Sequence, residues 1–247
     1  MPRRGRKQSG TGVYHVMIRG INQQNIFEDE EDFEKMLQIL SIVKAVTKCR
    51  IFAYCFMCNH CHLLIKIEGE SLEQIIKRIG VRYVYWFNVK YKRTGHLFQD
   101  RYKSEAIEND KHMLSVLRYI HQNPLQSGLC TDISDYPWSS YREYIGKKMI
   151  VDSSFIFEMI SETEFEGFNK KENAEKHLDN IKTGFRSSDA ESKEIIEKIS
   201  KCRNVAEFQQ LDSCKQRELI RVFKDKGVSI RQINRLNGVS KGIVERS

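Results

Sequence analysis

The sequence predicts an α+β fold: a small sheet with its helices on one face, followed by a separate helical region. Three observations predict it. In the first half of the chain, β-rich segments with period two alternate with segments of helical spacing. An acidic, weakly periodic stretch then interrupts the pattern. From Glu191 onward the spacing is helical, with glycine and serine at the breaks.

Taken in order, Val13–Arg19 alternates and reads as a strand. Glu31–Val46 places Phe33, Met36, Leu37, Ile39, Leu40 and Val43 at helical spacing. Arg50–Phe56 is a second strand, Met57-Cys58-Asn59 a tight connection, and His60–Ile67 a third strand. Ser71-Leu72-Glu73-Gln74 resembles a capping box and opens a helix that buries Ile75, Ile79, Tyr83 and Trp86. Arg101–Ile107 is a fourth strand, and Gln99, Arg101 and Lys103 have the alternating spacing of a strand. Asn109 or Asp110 then caps a helix to about Gln122, stopped by Pro124. The order β-α-β-β-α-β-α contains the split βαβ pattern of ferredoxin-like sheets. Its helices are expected on one face, leaving the other for a ligand.

The expected domains are residues 1–148 for the sheet, 149–190 as an acidic helical linker, and 191–247 as a helical domain with helix–turn–helix character. In the last, Glu218–Lys226 is a helix ended by Gly227, Ser229 caps Ile230–Asn237, Gly238 makes the turn, and Ser240 caps a short final helix. Ile230, Ile233, Leu236, Val239 and Val244 supply its small core.

The 247 residues carry a net charge of +8, unevenly spread. Residues 1–150 hold 23 Lys and Arg against 16 Asp and Glu, 151–190 hold 5 against 9, and 191–247 hold 13 against 8. Two basic blocks around an acidic one suit two surfaces for a polyanion. The start, Arg3-Arg4-Gly5-Arg6-Lys7, reads as a free tail that can order on phosphates. Seven cysteines without a secretory signal argue against a disulfide framework and for a reducing cytoplasm. No apolar run is long enough to span a membrane.

The most informative residues are His60-Cys61-His62. Positions two apart on a strand share a face, so the two imidazoles point the same way and form half of a divalent-metal site. Arg118-Tyr119-Ile120-His121-Gln122-Asn123 sits near a helix end, with Tyr119 and Asn123 on one helical face. Asn123 can supply a neutral oxygen. Two imidazoles and an amide leave positions open and suit Mg²⁺ or Mn²⁺ better than a closed zinc site. The competing metal reading is Cys55-x-x-Cys58-x-x-Cys61, but a strand scatters these thiols over both faces and no second such pair follows. Tyr119 is the candidate nucleophile toward a phosphodiester, with ordinary packing as the alternative. Gln99, Arg101 and Lys103 either grip a phosphate or form an exposed basic face. His15, His96 and His121 rank lower, as polar structure or DNA contacts.

Several ordered segments resemble the single-tyrosine HUH transposases, and more closely the REP-associated tyrosine transposases. They are Tyr14-His15-Val16 with Arg19-Gly20, Ala53 to Ile65, Gly95-His96-Leu97-Phe98-Gln99 with Arg101-Tyr102-Lys103-Ser104, and Arg118 to Pro124 with Gly128-Leu129. The resemblance implies a ferredoxin-like nuclease fold, an enzyme acting on single-stranded or hairpin DNA, as monomer or homodimer at a bacterial chromosome in the cytoplasm. It implies a divalent metal on His60 and His62 with Asn123 as third ligand. It implies Tyr119 as nucleophile, giving a 5′-phosphotyrosine and a free 3′-hydroxyl. The expected DNA contacts are Arg3, Arg4, Arg6, Lys7, Arg19, Gln99, Arg101, Lys103 and Arg118, with Arg231, Arg235 and Lys241 in the helical end. The chain departs from the family pattern at Cys58 and Cys61, neither a ligand position. A non-catalytic DNA-binding regulator is the main alternative, and a zinc-stabilised module the third.

Overall fold

A computed structural model describes residues 7–99, 101–146, 148–171, 178, 189–202, 205–226, 228 and 230–246, without the side chains of 189–191, 206, 225, 231, 241, 245 and 246. The chain divides into two compact units, Met1–Asn180 and Ile181–Ser247. No helix among the described residues is long and apolar enough to cross a membrane.

The first unit is the expected α+β sheet. Its strands are β1 (Val13–Arg19), β2 (Arg50–Met57), β3 (His60–Lys66) and β4 (Lys103–Ile107), and its first helices are α1 (Glu30–Thr47), α2 (Leu72–Lys90) and α3 (Asp110–Gln126). The sheet order is β2-β3-β1-β4, every neighbouring pair antiparallel. The caps explain the helix starts. Asp29 and Asp32 form a reciprocal capping box on α1, Ser71 Oγ accepts from Gln74 N on α2, and the Asn109 side chain accepts from His112 N on α3.

The register sorts the sheet into two faces. One carries Tyr14, Val16, Ile18, Tyr54, Phe56, Cys61, Leu63 and Ile65, all buried. Phe27 stacks on Phe56 at 5.5 Å and packs on Tyr83 of α2 and Phe33 of α1, so α1 and α2 cover this face. The other face carries His15, Met17, Arg19, Cys55, His60, His62, Lys103 and Glu105. This face was expected to stay open, but α3 packs on β2 and β3 and lies over it. The reason is the amphipathic run Met113, Val116, Leu117 and Ile120, which needs a surface to bury it.

Two boundaries and one buried position differ from expectation. The fourth strand starts at Lys103, not Arg101. Leu97–Gln99 instead extends the end of β1, where Gln99 N donates to Arg19 O at 2.8 Å and Phe98 bridges Gly20, so the pairing slot is already filled. Helix α3 runs through Pro124 to Gln126. Pro124 is buried, and Ser127 N on Asn123 O and Leu129 N on Pro124 O close the turn after it, so packing overrides the missing donor. On α2 the deeply buried aromatics are Tyr83 and Phe87, while Trp86 is half-buried.

After α3 the chain seals the sheet's outer edge. Phe56 N donates to Trp138 O and Ser140 N to Tyr54 O, both at 2.9 Å. Short helices α4 (Tyr141–Ile145), α5 (Ser153–Phe157) and α6 (Glu162–Lys170) follow. Glu143 is buried and fully used: Oε1 accepts from Tyr54 OH, and Oε2 from the backbone N–H groups of Met149, Ile150 and Val151 at 2.8 to 2.9 Å. Much of the stretch expected as a linker thus joins this core, which includes Ile150, Val151, Ile156 and Phe165. The turn after β1 is tight. Gly20 N donates to Asn59 O at 2.8 Å, and Ile26 and Phe27 N–H groups both reach Cys58 O. A Cβ on Gly20 would collide with the Gln24 carbonyl oxygen.

The second unit holds α7 (Asp189–Ser200), α8 (Val205–Gln209), α9 (Ser213–Asp225), α10 (Ile230–Asn237) and α11 (Lys241–Arg246). Ile196, Phe208, Leu219, Ile220, Phe223, Val228, Ile233, Val239 and Val244 form its core, with Ile230 and Leu236 half-buried against it. Helix α9 begins five residues before the expected Glu218, because Asp212 caps it by accepting from Cys214 N and Lys215 N. Gly238 has φ 64, the left-handed turn that separates α10 from α11. Gly227 and Ser229 lie outside the described residues.

Candidate active site

The site grows from the register of two strands. Arg19 lies opposite His60, Met17 opposite His62, and His15 opposite Leu64. His15 and His62 are therefore diagonal neighbours on one face, close enough for side chains to meet. They do: His15 Nε2 and His62 Nδ1 are 2.9 Å apart, and both rings are fully buried. The rings of His60 and His62 are 5.1 Å apart and nearly perpendicular. His60 Nδ1 lies 2.6 Å from Asn59 Oδ1. An amide oxygen can only accept, so Nδ1 carries the proton and Nε2 keeps its lone pair.

Helix α3 brings the tyrosine. The ring of Tyr119 stands edge-on to His62 at 5.7 Å and to His15 at 5.9 Å. It is 3% exposed. Asn123, one turn further, is also buried, and its Nδ2 has no hydrogen-bond partner among the described residues. The opposite side of the same helix is structural. His121 bonds Asn169 Oδ1 at 2.9 Å and Ser140 Oγ at 3.0 Å, and burial pushes its pKa down to about 4. Gln122 Nε2 donates to the carbonyls of Asn169 and Lys171. These bonds fasten α3 to α6 and so fix how far Tyr119 projects.

The remaining predicted residues fall into three groups. Arg19 and Lys103 share the histidine face, both half-buried. Gln99 is exposed next to Arg19, Arg101 is exposed on the α2 side of the sheet near Ile18, Ile76 and Gly80, and the two do not alternate on a strand, for the reason given above. Arg118 stacks its guanidinium on Phe168 of α6 at 4.6 Å, and Lys7 pairs with Glu108 at 3.5 Å. Arg235 is exposed on α10, in the second unit. Arg3, Arg4 and Arg6 lie outside the described residues, as do the side chains of Arg231 and Lys241.

The thiols do not gather into a metal site. Cys55 lies on the histidine face and Cys61 on the other, where burial raises its thiol to about 12. No group of three His, Cys, Asp or Glu residues fit to hold a metal exists among the described residues. Sequence reasoning ranked His15 low and missed Glu105. The available signal was the period-two position of His15 on the same strand face as Met17 and Val13, where an inward polar residue needs a partner.

Comparison with known proteins agrees with the motifs. Residues 9–123, just under half of the chain, match the model of the family described as transposase IS200 like. A provisionally named REP-associated tyrosine transposase of Haemophilus influenzae is 27% identical over 101 residues, covering 36% of this chain and 57% of the relative. The chain thus spans little more than half the length of that relative. A solved structure of a REP-associated tyrosine transposase bound to a REP hairpin superposes with a TM-score of 0.50 at 20% identity, covering 59% of this chain and 86% of the other. The chain resembles the single-tyrosine transposases in sequence and shares their fold.

Proposed function

We propose, on the premise that residues 9–123 form an IS200-like transposase unit, that this chain is a metal-dependent DNA strand transferase. It cleaves and rejoins single-stranded or hairpin DNA through a 5′-phosphotyrosine on Tyr119. The observation that carries this reading is the Tyr119 ring against His62 and His15 at 5.7 and 5.9 Å, on the face that also holds His60. The REP hairpin held by the solved relative supports hairpin DNA as the substrate class.

His60, His62 and Asn123 would hold Mg²⁺ or Mn²⁺. The donor chemistry fits: His60 offers Nε2, and Asn123 brings a buried amide whose nitrogen is unused among the described residues. A bound divalent cation would polarise the scissile phosphate and offset charge on its oxygens. Tyr119 Oη attacks the phosphorus, a P–O bond to tyrosine forms, and the bond to the 3′-oxygen breaks. The phenolic proton leaves Tyr119 and a proton completes the 3′-hydroxyl. The ester conserves the bond energy, so attack by a 3′-hydroxyl rejoins DNA without a nucleotide cofactor. Arg19 and Lys103 stand on the same face to meet phosphates.

The alternative is a non-catalytic DNA-binding regulator, favoured by the slight exposure of Tyr119 and by the helix pair α10–α11, which has helix–turn–helix character. One experiment separates them. Hairpin and single-stranded DNA pools are incubated with the protein and Mn²⁺, and covalent adducts are mapped by mass spectrometry. A 5′-phosphotyrosine at Tyr119, absent in Tyr119→Phe, supports the strand transferase. Binding without any adduct supports the regulator, and an adduct on another tyrosine removes Tyr119 from its role.

A further inference from the structure

We infer that Glu105, acting through His15, holds His62 in the one tautomer that can bind a metal. Both are positioning residues, and the inference rests on the metal reading proposed above.

A single hydrogen sits between His15 Nε2 and His62 Nδ1, 2.9 Å apart in a buried pair. It has two placements. In the first, His62 Nδ1–H donates to His15 Nε2, and the far nitrogen of His62, Nε2, keeps a lone pair. In the second, His15 donates, and the neutral His62 carries its proton on Nε2, where it has nothing to offer a cation. The two imidazoles alone do not choose between them, since each ring can donate or accept. His60 differs: its Nδ1 faces an amide oxygen, which decides its tautomer locally. For His62 the decision is made one residue further back.

Glu105 makes it. Strand pairing sets Glu105 directly opposite His15, and Glu105 Oε2 lies 3.5 Å from His15 Nδ1. In the first placement His15 presents Nδ1–H to that carboxylate, an attraction. In the second it presents a lone pair to a negative charge, a repulsion that the fully buried side of the contact does little to screen. The first placement wins, so His62 Nε2 is left as the ligand. The other oxygen, Oε1, lies 3.3 Å from His112 Nε2 in the first turn of α3, which steadies the carboxylate from the far side. The result is a carboxylate–imidazole–imidazole chain, the usual carboxylate support of a metal-binding histidine with one extra ring inserted.

The test reads tautomers directly. The full-length, metal-free protein is labelled with ¹⁵N-histidine, and long-range ¹H–¹⁵N spectra are recorded at mildly alkaline pH. The expected result is His62 with a protonated Nδ1 and a bare Nε2. Glu105→Ala is expected to move His62 toward the Nε2–H form and weaken Mn²⁺ binding about 10- to 100-fold by electron paramagnetic resonance titration. Glu105→Gln, which keeps an acceptor, should restore both. Glu105 is on an edge strand and 30% exposed, so its variants spare the core, and His15→Phe tests the same link from the buried side. A wild-type His62 protonated on Nε2, or a tautomer unmoved in both Glu105→Ala and His15→Phe, overturns the inference. A wild-type protein with the Nδ1–H tautomer that binds no Mn²⁺ leaves the tautomer assignment standing and removes the metal reading instead.

Discussion

Across β2, β3 and β1, one face of the sheet is apolar or aromatic, and the other buries three imidazoles as deeply as the first buries its rings. Phe56 and His62 are both fully buried, on opposite faces of adjacent strands. Burial therefore does not separate core from site. Partners do. Phe56 is stacked between Phe27 and Tyr54, where any similar volume would serve. His62 is held by a directional bond to His15, which an apolar ring of the same volume would lose. The first face stores stability and the second stores geometry.

The contrast can be broken most forcefully on the apolar face. Phe56→Ala should cost about 3–5 kcal/mol in urea unfolding while the folded fraction keeps its Mn²⁺ affinity. A matching loss of metal affinity would show that the two faces are not independent.

His121 supplies a buried imidazole outside the histidine cluster and sharpens the same point through pH. Its folded pKa is lowered to about 4 from 6.5, chiefly by burial. The unfolded chain takes up the proton first as pH falls. Stability is thus unaffected above about 6.5, is lost between 6.5 and 4, and is lost no further below that. The full loss is on the order of 3 kcal/mol, and His121→Asn should flatten that part of a stability–pH curve.

On the site face, His62→Ala should cost only about 1–3 kcal/mol, because His15 Nε2 loses its partner. Metal-dependent cleavage should vanish in both His60→Ala and His62→Ala, while hairpin affinity in a filter assay stays close to wild type. Normal cleavage in Mg²⁺ by either variant would remove the metal role. The smallest effect is expected outside the sheet. Lys7→Gln or Arg235→Gln should each lower the salt slope of log affinity by about 1 if the side chain meets a phosphate. An unchanged slope would confine DNA contact to the histidine face.

The elements were legible because the hydrophobic period is strong: β1 is found at its expected bounds, and α1 within a residue of them. What failed depended on competition between distant segments. Gln99 and Arg101 have strand-like spacing, but Leu97–Gln99 pairs with the end of β1 and leaves Arg101 in a bend. Pro124 is an ordinary stop signal, overruled by the packing of its own buried ring. At the site, the shared face of His60 and His62 followed from period two alone. The bond from His62 to His15 spans 47 positions and depends on a register that no local pattern encodes. Glu105 and Glu143 are invisible for the same reason: a carboxylate looks solvated until its donors are known.

Gly20 carries no chemistry, yet it sets the tolerance of the whole arrangement. Its amide clamps Asn59, the residue whose side chain holds His60, and the loop it opens grips Cys58 twice. The clearance there is less than one methyl group, because a Cβ would strike the Gln24 carbonyl. In the language of heredity, position 20 is a bottleneck. A methyl group in place of one hydrogen here, forty residues upstream of His60, would push on the turn that holds Asn59 without touching the imidazole itself. Any side chain at position 20 would have to displace the Gln24 carbonyl, and with it the turn.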